Sequence, residues 1–328
     1  MCAAQVMRAV RVSQFGGPEV LKLMTDVLIP RVDKGQVLIK LHAAGVNPVD
    51  TYIRSGTYAR KPQLPYTPGA NGAGIVHSIG DGVTQFKVGD RVYTFSSLTG
   101  TYAEFTVCNE NDAFKLHDEL SFTQGAALGV PYFTSYRALF HRLLVRPGET
   151  VLVHGASGGA GTAACQLARA HGLVVIGTAG TPEGEEIVRK AGAHYTFNHH
   201  SPDYVDKIKE VTEGKGVDAI VEMLANVNLH KDLQLLATGG RVGVVGNRGN
   251  IGICPRDLMA RESSIFGVML MNINHEEKKE TIAALNAGAE AGWLRPIIGR
   301  ELSLSEVVQA HTEIIETKGA QGKMVLTI

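Results

Sequence analysis

The run "ETVLVHGASGGAGTAACQLARAHGLVVIGTAG", residues 149–180, restricts the fold more than any other part of the chain. It reads as an apolar strand, a turn with glycines at 155, 158 and 161, a helix, and a second apolar strand. A Rossmann unit needs that order, because its glycines allow the tight turn, the close approach of a pyrophosphate and close packing of helix on strand. The expected fold class is therefore α/β, with a doubly wound parallel sheet that binds a dinucleotide. An NAD site usually offers Asp or Glu to the ribose 2′-hydroxyl at the end of the second strand. Here that place holds Thr178, Ala179, Gly180 and Thr181. With no carboxylate to repel a 2′-phosphate, NADPH is the expected cofactor. His199 in "FNHH", Arg248 in "GNRG" and nearby lysines or arginines are the candidate counter-charges. Glu183, Glu185 and Glu186, slightly later, keep an NAD alternative open.

The rest of the chain divides around this unit. From Met7 to about residue 125, short strand-like segments such as "MRAVRV", "QVLIKLHAAGV" and "DRVYTF" alternate with Gly, Pro and Asp turns, as in a partly open barrel. Val37, Ile39 and Leu41 share one face of their strand. From Gln124 onward, strands alternate with helix-length segments, the signature of βαβ units. The expected organisation is a barrel-like domain over 1–125, the dinucleotide domain over 126–268, and a C-terminal return to the first domain over 269–328. The formal net charge of zero leaves no basic surplus that would advertise a nucleic-acid or membrane partner. The first residues lack a signal-peptide pattern, no apolar run approaches a bilayer span, and a cytosolic protein is expected. Cys2, Cys108, Cys165 and Cys254 lie too far apart for a CxxC-type zinc cluster, and disulfides are not expected.

A second glycine cluster, "PYTPGANGAG" at 65–74, has the look of a phosphate loop. Strand-like sequence follows it where a phosphate loop would open a helix, so phosphate binding is not expected there.

Several long motifs together resemble the medium-chain dehydrogenase/reductase superfamily. They are "FGGPEVLKL", "GVNPVDTYIRSGTY", "PYTPG", "FKVGDRV", "GAALGVPYFTSYRAL", "VLVHGASGGAG", "IVEMLANVNL" and "AHTEIIETKGAQGKMVL". Within the superfamily the chain is most similar to the zeta-crystallin type of NADPH:quinone oxidoreductases, from about Met7 to the C-terminus. The resemblance implies a GroES-like catalytic domain beside the Rossmann domain, and a homo-oligomer, dimer or tetramer. It also implies that Ala70 and Asn71 stand where zinc-dependent members carry His and Glu, and that Asn47 and Val130 stand where they carry cysteines. Alanine and valine have no donor atom, and Asn is a weak ligand beside imidazole and thiolate. No metal is expected.

Carried onto matching motifs, the resemblance assigns cofactor contacts to Tyr52, Ser157, Gly158, Gly159, Ala160, Gly180, His199 and Asn228. Val245, Gly246, Asn247, Arg248, Val268, Met269 and Leu270 complete that set. Asn47, Tyr52 and Tyr58 are the residues expected around the reacting centre, in a cleft between the domains. Two departures are Ala160, often Val in relatives, and the doubled histidine at 199–200, where Arg often follows the first.

Without a metal to activate an alcohol, alcohol oxidation is not expected, whereas a quinone is already electron-poor. The expected activity is NADPH-dependent quinone reduction, ortho-quinones included, with one-electron transfer to semiquinone as in some relatives. Reduction of an enal or enone double bond is the second reading. A binding role, as lens crystallin or on AU-rich RNA, is the third, and no RRM, KH or basic aromatic stripe supports it.

Overall fold

A computed structural model describes residues 5–317 and 319–328, so Cys2 lies outside the described residues. Two compact units result. The first takes the chain to Val130, then Ile298–Thr317 and Lys323–Ile328; the second takes Pro131–Ile297 and the run ending at Gly322.

In the first unit, strands β1 (Val6–Arg11) and β2 (Lys22–Leu28) form a ribbon. β3 (Gln36–Gly45), β4 (Asn71–Ile79), β5 (Arg91–Thr94), β6 (Phe105–Asn109) and β7 (Ala113–Lys115) join one larger, mostly antiparallel sheet. Val37, Ile39 and Leu41 are buried together with Val76, Phe86, Val92 and Cys108, so the alternation in β3 points into the core as its pattern requires. The 65–74 glycine cluster runs into β4. A Cβ on Gly74 would lie 2.0 Å from the Lys40 carbonyl oxygen on β3, so this glycine serves close strand packing.

The second unit is built on β8 (Thr150–Val153), β9 (Val174–Ala179), β10 (Tyr195–Asn198), β11 (Val217–Glu222), β12 (Leu236–Val244) and β13 (Ser264–Gly267). All pair in parallel, in the order β10-β9-β8-β11-β12-β13. This is the doubly wound order, with its switch point between β8 and β11, where ligands bind at the strands' carboxyl ends. Leu152, Ile176, Ile208, Val217, Ile220, Leu233 and Val242 form its core.

β14 (Ile298–Ser303) and β15 (Lys323–Thr327) then rejoin the first sheet, β15 antiparallel to β3. The return to the first unit therefore begins at Ile298, not at 269. The helix His275–Glu290 stays with the second unit because buried Arg137 holds it: its guanidinium donates to Glu277 at 3.0 Å and to the Met269 and Asn272 carbonyls. Residues 126–130 stay with the first unit, where the Val130 N–H donates to Asn71 Oδ1 at 3.0 Å.

Candidate active site

At the end of β8, Gly155 takes a left-handed φ of 57° and turns the chain into the helix Gly159–Ala170. A Cβ on Gly161 would fall 2.4 Å from the Gly155 carbonyl oxygen, which is the tight helix–strand packing a dinucleotide loop needs. Gly158 is the N-cap and no side chain caps the helix, the arrangement in which a helix start can face an anion, while Gly158 also forms a parallel bridge with Gly322. Ser157 is buried beside them, and its carbonyl accepts from Gly322 N at 2.6 Å. The segment from Gly319 to Gly322 thus lies against the loop, with Ala320 nearest to Gly158, a contact the sequence did not signal.

Gly180 ends the second strand. A Cβ there would stand 3.0 Å from His199 Nε2 and 3.1 Å from His200 Nε2, so the candidate 2′-phosphate position is faced by two imidazoles. Burial, then His200 and His154, pushes the His199 pKa down to about 4. At neutral pH His199 is thus an uncharged hydrogen-bonding group, and the counter-charge expected of it is absent until an anion binds. The acidic residues that kept NAD open are partly committed: Glu185 accepts from Thr196 at 3.4 Å, and Glu186 pairs with Arg189.

The opposite side of the switch point is joined by backbone. Val245 and Gly246 N–H groups donate to the Glu222 carbonyl, and Ala225 N–H donates to that of Gly246. Asn228 donates to Glu222 Oε1 at 3.2 Å, and the Arg248 N–H donates to Asn226. Val268 is buried; Asn247, Arg248 and Met269 are exposed, and Leu270 is half-buried. The structure thereby places the candidate cofactor residues from 157 to 270 at the carboxyl ends of one parallel sheet.

Behind them sits a buried triad that the sequence reading missed. His154 Nε2 lies 2.8 Å from Asp232 and 3.7 Å from Glu222, and its Nδ1 lies 3.2 Å from Thr178 Oγ1. Burial opposes charge on His154, but the two carboxylates outweigh it and raise its pKa. Burial also pushes Glu222 up to about 7. Neither Glu222 Oε2 nor Asp232 Oδ2 has a hydrogen-bond partner among the described residues. Among the described residues these three are the one His/Cys/Asp/Glu group compact enough to hold a metal.

In the first unit, Asn47 caps the helix Pro48–Ser55, and Asp50 returns the capping box, accepting the Asn47 N–H at 2.8 Å. Asn47 is 2 % exposed and its side chain is fully engaged. Nδ2 donates to Asn71 Oδ1 at 3.0 Å and to Asp50 at 3.3 Å, and Oδ1 accepts from Lys323 Nζ at 2.5 Å. Asn71 Oδ1 also accepts the Val130 N–H, and Asn71 Nδ2 donates to the Phe95 carbonyl at 3.1 Å. Asn47, Asn71 and Val130 therefore meet on one amide oxygen, while Ala70 contributes only its carbonyl, to Thr94. The direct role expected for Asn47, a free donor to an acceptor oxygen, does not fit this saturation. Tyr52 and Tyr58 are half-buried at the other end of the helix, where the Tyr52 carbonyl accepts the Tyr58 N–H at 3.1 Å.

A proton chain continues from Asp50. Tyr102 OH donates to Asp50 at 3.2 Å, His311 Nε2 lies 3.2 Å from Tyr102 OH, and Arg54 lies 3.5 Å from His311 Nδ1. Only one tautomer satisfies all three: Nδ1 accepts from Arg54 and Nε2–H donates to Tyr102. Burial, then Arg54, pushes His311 down to about 3, which agrees with a neutral ring.

Residues 33–118 match the alcohol dehydrogenase GroES-like domain family, and residues 159–287 the zinc-binding dehydrogenase family. The chain is 58% identical to a human quinone oxidoreductase over 99% of this chain and 98% of that protein. It is 32% identical to a rat synaptic vesicle membrane protein VAT-1 homolog, over 98% of this chain and 84% of that protein. An Escherichia coli quinone oxidoreductase complexed with NADPH superimposes with a TM-score of 0.88 at 31% identity, over 98% of this chain and 100% of that one. No helix among the described residues is long and apolar enough to cross a membrane. Similar along its whole length to these proteins, the chain belongs to the quinone oxidoreductases of the medium-chain dehydrogenase/reductase superfamily.

Proposed function

We propose that the protein reduces quinones with NADPH and without a metal. One observation carries this reading: the cluster at Asn47, Asn71 and Val130 is built from amides bonded to one another, with no thiolate or imidazole among them. Amides hydrogen-bonded in this way are poor ligands for zinc. An electron-poor acceptor, unlike an alcohol, needs little Lewis-acid help.

The uncapped helix at Gly158 and the packing at Gly161 fit a pyrophosphate, and the carboxylate-free end of β9 fits a 2′-phosphate. When bound, the dihydronicotinamide supplies hydride. The chain's own work is to bind and orient: helix N–H groups hold the pyrophosphate, the neutral His199 ring and the His200 ring face Gly180, and Asn228 steadies the loop after β11. Tyr52 and Tyr58 are assigned to the quinone, for stacking or hydrogen bonding to its oxygen. The Asn47 cluster holds the helix that carries Tyr52.

The test is NADPH oxidation over ortho-quinones, para-quinones, enals and primary alcohols, with and without a chelator. Quinone turnover indifferent to chelator is expected. Alcohol turnover abolished by chelator overturns the reading, and turnover of enals alone replaces it with double-bond reduction.

A further inference from the structure

Glu222 closes β11, on one side of the switch point of the second unit, and is completely buried. Burying a carboxylate carries a desolvation cost that a leucine of similar size would avoid. His154 does not require it, because Asp232 is the nearer partner, at 2.8 Å against 3.7 Å. What Glu222 adds lies at its other oxygen: Oε1 accepts the Leu224 N–H and, at 3.2 Å, Asn228 Nδ2. An ionised carboxylate offers acceptors only, so whichever way it turns, the Asn228 amide presents its NH2 to it. Asn228 Oδ1 is then left over. Among the described residues no N–H or O–H donates to it, and the side chain is half-buried in the first turn of the helix Ala225–Leu235. The same glutamate fixes where that turn stands. Its carbonyl accepts the Val245 and Gly246 N–H groups, and a Cβ on Gly246 would lie 2.2 Å from the Met223 carbonyl oxygen, so the turn after β12 is held closely against the turn after β11. Gly180, at the end of β9, marks the adenosine side of a Rossmann site; Asn228 follows β11, across the switch point, where the second half of a dinucleotide lies.

We propose that Glu222 is a positioning residue of the cofactor site: it holds the Asn228 NH2, so that Asn228 Oδ1 is kept as an acceptor for a donor on the nicotinamide half, a ribose hydroxyl or the carboxamide N–H. The inference rests on the proposed use of NADPH. A glutamate that only capped the start of the helix would matter for stability and treat every nucleotide alike. One that orients Asn228 matters for the nicotinamide half and spares the adenosine half.

The experiment measures Kd by titration calorimetry for NADPH, NADH and adenosine 2′,5′-bisphosphate, which lacks the nicotinamide half. The proteins are the wild type, N228A, E222L, E222Q and E222L/N228A, with urea unfolding recorded for each. N228A should weaken NADPH and NADH alike, by about three- to tenfold, the worth of one neutral hydrogen bond. The bisphosphate should stay within about twofold of wild type. E222L should reproduce this pattern, because a released amide is free to turn, and the double variant should bind NADPH no worse than N228A, because Glu222 acts through Asn228. E222Q keeps an acceptor for Asn228 and should recover most of what E222L loses. The acetylpyridine analogue of NADPH has no carboxamide N–H: a loss in N228A that persists with it assigns the donor to the ribose hydroxyl, and one that vanishes assigns it to the carboxamide. N228A with wild-type affinity for NADPH overturns the inference and leaves the buried core untouched. So does a folded E222L that binds NADPH as the wild type does, with E222M in its place if E222L fails to fold, or a bisphosphate weakened as much as NADPH. A wild type that binds no NADPH at all would instead refute the proposed function itself.

Discussion

Gly180→Asp tests the cofactor reading at the one atom on which it turns. Gly180 has no positive φ, so the backbone accepts a side chain, and the new Cβ meets the imidazole rings of His199 and His200, nearest at 3.0 and 3.1 Å, which need to yield by a few tenths of an ångström. Its carboxylate would sit at the end of β9, where the nucleotide ribose lies in a Rossmann fold. A 2′-phosphate carries roughly two negative charges. At a separation of about 5 Å and an effective dielectric between 20 and 80, each pair of unit charges repels by about 1–3 kcal/mol. Screening at this half-open position leaves about 2–3 kcal/mol in all, or roughly 30- to 140-fold in Kd for NADPH. NADH lacks the phosphate, and a hydrogen bond from its 2′-hydroxyl to the aspartate is worth about 1 kcal/mol, so its Kd should fall about fivefold. The new carboxylate would also raise the depressed His199 pKa, which returns part of the loss below neutrality. Quenching of protein fluorescence by each nucleotide at about pH 8 avoids that recovery. An unchanged NADPH to NADH ratio would refute the argument, whatever happened to either affinity alone.

Two further outcomes concern stability. The native state holds His311 neutral down to about pH 3 and Lys323 largely uncharged above about pH 7, while the unfolded chain protonates both sooner as pH falls. Stability should therefore rise with pH across both windows, about 3 to 6.5 for His311 and about 7 to 10.5 for Lys323. Urea unfolding of wild type minus H311Q, and of wild type minus K323M, isolates each from Asp50, whose raised pKa acts with the opposite sign above its unfolded value. A difference curve without slope in its window contradicts the burial argument. Asp232→Ala should cost about 3–5 kcal/mol in urea, because it removes the 2.8 Å partner of buried His154; a loss below about 1 kcal/mol would mean that the triad is held mainly by Glu222.

The parts of this protein legible in the sequence are those in which local pattern and structure coincide. The glycine spacing at 155–161 is a local requirement of a turn and a helix contact, and the alternation of Val37, Ile39 and Leu41 is a local requirement of a half-buried strand. "NPVD" is likewise readable, as an N-cap, a proline at the first helical position and an acid at the third, although its consequence for Asn47 was not drawn. Lys323 and His311 carry no such signal. Each is brought to the Asn47 and Asp50 network only when the C-terminal chain returns, across more than 200 positions, to pair β15 with β3 and pack the helix Val307–Glu316. The same holds for His154, whose partners lie on β11 and on the following helix.

Burial then changes what such residues mean. Read singly, His199 is a cation and Asn47 a free donor; enclosed, the first is neutral and the second has every polar atom engaged. A residue type states which chemistry is available, but only its neighbours decide whether that chemistry remains unspent. Asn47 and Val130, which the resemblance aligns with cysteine ligands of zinc-dependent members, here converge on the Asn71 amide oxygen. The charge nearest to them is an amine from the last strand, which titrates near neutrality where a metal ion would keep its charge. On that ground the stability of this corner should depend on pH, where a bound metal would hold its charge.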